Sequence, residues 1–64
     1  MLLVKDLIEK HLIFLGIDLM LYNNNDILYT RYNEVPTEWK ERNVISFTMK
    51  VDNKNYYYEI KCGD

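Results

Sequence analysis

Sixty-four residues and 7.8 kDa make one domain, residues 1–64, with no room for a second. A chain this short buries only about 60% of its unfolded surface, which excludes a fold built round a deep substrate pocket. Hydrophobic residues at 48%, charged residues at 28% and a net charge of −2 describe a chain that folds rather than a disordered one. The single cysteine, Cys62, excludes an internal disulfide, and no Cys/His cluster is spaced to hold zinc.

The N-terminal stretch is apolar, yet Lys5, Asp6, Glu9, Lys10 and His11 interrupt it. It has neither the basic start of a signal peptide nor the ~20 apolar residues of a membrane span, so a cytoplasmic protein with a reduced thiol is expected. At 100° per residue, Leu3, Val4, Leu7, Ile8, His11, Phe14 and Leu15 share one arc. This predicts an amphipathic helix over residues 3–15, ended by Gly16. Leu2 and Ile13 fall on its far side.

After Gly16 the period becomes two. Ile17, Leu19 and Leu21 alternate with Asp18, Met20 and Tyr22, Asn23 to Asp26 supply a turn, and Ile27 to Tyr32 return as a hairpin strand. Residues 34–43 break the sheet; Pro36 suits the first turn of a short helix and Asn43 its end. Val44 to Val51 alternates again, Asp52 to Asn55 turns the chain, and Tyr56 to Cys62 closes a second hairpin. The expected fold is α+β: an N-terminal helix packed on a four-stranded antiparallel sheet of two hairpins, with a short helix between them. Its core is expected to include Leu7, Phe14, Ile45, Phe47, Tyr58 and Ile60. One helix covers only ~10 Å of width, less than four strands ~4.8 Å apart. The remainder must be wet, covered by the Trp39 segment, or buried in a partner.

No residue set here makes a catalytic constellation, so a non-enzyme is expected, without metal or cofactor. His11 reads as a core-edge histidine, Cys62 as a small apolar filler, and Glu34, Glu38 and Glu41 as a solvated face. Glycines only at 16 and 63 exclude a phosphate loop. Eight basic residues against ten acidic ones give no basic stripe, which argues against nucleic acid as a partner. The aromatic surplus is the remaining signal. Trp39 with Tyr32, Tyr29 and Arg31 combines the residue types that dominate protein interfaces, and these four are the candidate partner-binding residues.

Glu34-Val35-Pro36-Thr37-Glu38-Trp39 followed by Arg42-Asn43-Val44-Ile45-Ser46-Phe47 resembles the short acidic proteins of phages and mobile elements of A/T-rich bacteria. Seven Asn, six Ile, six Lys and six Tyr with no Ala agree with such a genome. The resemblance spans residues 27–62 and carries no diagnostic motif. It implies an accessory or anti-defence protein, CRISPR inhibition being one case, that docks on a host protein. Two other readings stay open: an obligate homo-oligomer or structural phage subunit, and a single-stranded nucleic-acid binder using tyrosines as a stacking platform.

Overall fold

A computed structural model describes residues 1–63. Its elements follow the order α1 (Val4–Glu9), β1 (Asp18–Tyr22), β2 (Ile27–Thr30), α2 (Thr37–Lys40), β3 (Val44–Asp52) and β4 (Asn55–Cys62). The fold is α+β with one four-stranded sheet.

α1 stops at Glu9, well short of the expected end at residue 15. The cause is local. His11 adopts φ +55°, its amide donates to the Ile8 carbonyl, and the Leu12 amide donates to the Leu7 carbonyl at 2.9 Å. This pair of bonds is the Schellman arrangement, with His11 where glycine is usual. His11 is therefore an exposed helix terminator rather than a core-edge residue. The chain beyond it leaves the helical phase, so Ile13 turns inward at 4% exposure while Phe14 is 71% exposed. At the other end, the Asp6 carboxylate accepts the Leu3 amide at 2.9 Å, satisfying one of the free donors of the first turn.

Both hairpins form. In the first, Asn23 Oδ1 accepts the amides of Asn25 and Asp26, each at 2.8 Å, closing the turn by side chain. In the second, Asn53 and Lys54 both have positive φ, +47° and +72°, so two residues make the tight turn between β3 and β4. Left-handed backbone costs a side chain that glycine lacks. Lys54→Gly and His11→Gly should therefore each raise stability, by about 0.5–1 kcal/mol. Melting temperatures check this; a fall in both would contradict the two turns.

The sheet is mixed, not antiparallel as expected. Its order is β2-β1-β4-β3, with β1 and β4 parallel in the centre and each hairpin contributing one outer strand. Residues 31–43 explain this. They carry the chain from the end of β2 back across one face, burying Val35 and Trp39 on the way, so β3 starts at the same end as β2. A crossover of about a dozen residues is the length that parallel strand directions need. Pro36 precedes α2 as its N-cap, and Asn43 bridges Leu3 instead of ending the helix.

Register assigns the faces. Leu19 and Leu21 lie beside Tyr58 and Ile60, and these in turn oppose Met49 and Phe47. Val4, Leu7, Ile13, Val35 and Trp39 pack on this face over β1 and β4, and with Leu19, Leu21, Tyr58, Ile60 and Cys62 they form the core. Lys5 and Glu41, 3.2 Å apart, link the two helices at the surface. The cover ends before β3. Phe47 is 40% exposed, Ile45 in the bulge between Val44 and Ser46 is 56%, and Val51 is 63%. Leu7, Tyr58 and Ile60 are core as expected; Phe14 is not because His11 terminates the helix, Ile45 because the bulge takes it out of the alternation, and Phe47 because two short helices span only part of the sheet.

Candidate docking site

Tyr29 projects from β2 on the face away from the helices, where it pairs with Met20 and is 72% exposed. Tyr57 lies on the same face, beside Asp18 of β1 and opposite Lys50 of β3. At this end of the sheet, where β1 and β4 begin and β2 and β3 end, an open depression of about 680 Å³ is lined in part by Tyr29, Arg31, Tyr56 and Tyr57. Asp18, Glu34 and Asp52 also border it, all three exposed. One guanidinium among three carboxylates gives the depression an acidic balance. The tyrosines give it apolar surface that a partner can cover without losing much side-chain entropy.

Of the four residues read from the sequence, the fold brings two together. Tyr29 and Arg31 share the depression. Tyr32 does not join them, because β2 ends at Thr30 and Tyr32 sits in the following turn, where the Glu34 amide donates to the Arg31 carbonyl at 3.0 Å. Tyr32 is half-buried and packs on the core from the side of α1. Trp39 is 5% exposed and part of the core, with the Arg42 guanidinium over its ring at 3.9 Å from the centroid. It has almost no surface to offer a partner. Tyr56 and Tyr57 were not among the four. Tyr57 was expected to face solvent, grouped with Tyr29, Tyr32 and Arg31 only as a stacking platform for a nucleic acid. Tyr56 was expected on the core face, which it shares with Tyr58 by register although it is 58% exposed. What brings Tyr57 beside Asp18 is the parallel β1–β4 pairing, for which the sequence carries no local signal.

Outside the depression the titratable residues form surface pairs such as Lys5–Glu41 rather than a cluster. Cys62 is buried, and that burial raises its thiol pKa above the ordinary value, while the Arg42 charge opposes the rise more weakly. A thiol in that state is a poor nucleophile. Glu41 is held by Lys5, whose ammonium pKa the Glu41 hydrogen bond and charge raise. Among the described residues no three His, Cys, Asp or Glu side chains come together as a metal site. No described helix is long and apolar enough to cross a membrane. No family model matches the chain, and neither a curated protein nor a solved structure matches it.

Proposed function

We propose that this chain is a small non-enzymatic binding module that docks on another protein through the depression lined by Tyr29, Arg31, Tyr56 and Tyr57. The observation that carries this reading is the convergence of three tyrosines and an arginine on one open, acidic depression at the end of the sheet. Tyr and Arg are enriched among the residues whose truncation costs most at interfaces. The carboxylates of Asp18, Glu34 and Asp52 favour a partner segment carrying Lys or Arg. They repel phosphate, which disfavours a nucleic acid at the same place despite the aromatic rings. The resemblance to phage and mobile-element proteins implies a protein of the host cell as the partner, and an accessory or inhibitory role.

The test starts with a partner captured from the host and purified. Tyr29→Ala and Arg31→Ala should each weaken its binding by about 2 kcal/mol, roughly thirtyfold in Kd, with circular dichroism unchanged. Tyr32→Ala, which removes a ring outside the depression, should change binding far less. Folded Tyr29→Ala and Arg31→Ala variants that bind as tightly as the parent would place the site elsewhere. Oligonucleotide binding that weakens steeply with salt would favour the nucleic-acid reading instead.

A further inference from the structure

β3 is an outer strand, and its free side is covered only at its start. There the Val44 amide donates to the Leu2 carbonyl at 2.8 Å, and Leu3 bridges Asn43. From Ser46 to Asp52 no strand of the described residues lies on that side. Outer strands are normally protected by proline, by several charges, by a bulge or by being short. β2, the other outer strand, has four residues. β3 has nine, no proline, and its bulge lies at the covered end. The free stretch carries one cation, Lys50, and one anion at its tip, Asp52.

We propose that two copies of this chain pair antiparallel along Ser46–Asp52 of β3, about a two-fold axis at Met49, giving one continuous eight-stranded sheet. The stretch is self-complementary in this register. Met49 meets its own copy and Phe47 meets Val51 on the helix-bearing face; Thr48 meets Lys50 and Ser46 meets Asp52 on the other. Apolar residues oppose apolar residues, and no like charges stand opposite one another, the arrangement that cross-strand pairs favour. A two-fold axis normal to the sheet keeps both helix-bearing faces on one side. The bare strips of Phe47, Met49 and Val51 then merge into a single apolar trough between the two helical covers.

Apolar surface borders the seam. Phe47, Met49 and Val51 stand on the paired edge, and part of their exposed area is withdrawn from water there. The Phe14 amide donates to the Tyr58 hydroxyl at 2.9 Å, which ties the loop carrying Leu12, Phe14 and Leu15 to the border of this strip. The main chain of the paired strands adds inter-strand hydrogen bonds. Such a dimer carries two copies of the tyrosine-lined depression, so a partner with repeated sites would be held by both.

Sedimentation equilibrium of the full chain at micromolar concentration tests this directly. The parent should run at twice its 7.8 kDa mass. Met49→Lys sets two ammonium groups against each other on the axis, and Val51→Lys places a charge in the trough; each should weaken association on the order of a hundredfold with an unchanged circular dichroism spectrum. Val51, already exposed, serves if Met49→Lys disturbs the fold. Tyr29→Ala should leave the dimer intact, which separates this surface from the docking depression. A parent that stays monomeric, a dimer that survives both lysine substitutions, or open-ended polymers in place of a dimer would each overturn the pairing.

Discussion

Trp39→Ala should remove a large part of the protein's stability. The ring is 5% exposed and packs in the same core as Leu7, Leu19, Leu21 and Ile60. Deleting a buried Trp costs about 3–5 kcal/mol through lost transfer energy and the cavity left behind. Arg42 pushes the effect upward, because its guanidinium lies over the ring and its Nη1 is buried with no hydrogen-bond partner among the described residues. Without the ring, that charge keeps its desolvation and loses its compensation. A 64-residue domain has roughly 3–10 kcal/mol of stability at the usual 0.05–0.15 kcal/mol per residue, so this one change consumes much of it. Urea denaturation checks the value. A Trp39→Ala variant with the parent's midpoint would mean that α2 does not cover the sheet. Any binding lost in this variant would report unfolding, so Trp39 cannot serve as a probe of docking.

Ile60→Ala should cost more of its side chain's full burial energy than Phe47→Ala, although the two residues sit opposite one another across β4 and β3. Ile60 is fully buried under the helices, and its truncation should cost about 2–5 kcal/mol. Phe47 lies one strand farther out, where the cover has ended, and is 40% exposed. Its truncation in a monomer should cost less than that of a fully buried Phe, about 3–5 kcal/mol, since burial free energy follows the apolar area withheld from water. The comparison is made in the Val51→Lys background, so that a dimer does not add protomer concentration to the measured stability. A Phe47→Ala cost in that full range of about 3–5 kcal/mol would mean that something within one chain covers β3.

Those two residues also mark how far the sequence could be read. The alternation from Val44 to Val51 correctly places Phe47, Met49 and Val51 on the face of Ile60 and Tyr58. Period two identifies a face and is silent about what lies over it. Helix width against sheet width left three outcomes for the remainder, wet, covered by the Trp39 segment or buried in a partner; Trp39 covers part of it and β3 stays bare within one chain. The length of α1 was not readable. The apolar arc continues in phase through Phe14 and Leu15, while the stop is written in the backbone of His11, a residue with no strong tendency to terminate helices. The parallel pairing of β1 with β4 was hidden for a different reason. Local pattern defines each hairpin, but which strands of two hairpins meet depends on where residues 31–43 run, a tertiary matter.

The candidate site suffered from the same gap. Tyr29 and Arg31 are two residues apart in sequence and were legible as a pair. Tyr56 and Tyr57 come from the far end of the chain, and only the β1–β4 register brings them alongside. Trp39 was attractive as an exposed anchor because a polar, irregular segment surrounds it. The same ring is the largest apolar group available to seal the core of a small domain, and burial takes precedence.

Every surface assigned above depends on β4 lying between β1 and β3 and running parallel to β1. Cross-strand nuclear Overhauser contacts measure this residue by residue. Antiparallel neighbours bring facing Hα protons close at non-hydrogen-bonded pairs, whereas parallel neighbours give Hα to amide contacts without close Hα pairs. Close Hα pairs are predicted between β1 and β2 and between β3 and β4, with only Hα to amide contacts joining Leu19 to Tyr58 and Leu21 to Ile60. Close Hα pairs between β1 and β4, or strand contacts between β2 and β3, would contradict the sheet and the two surfaces it creates.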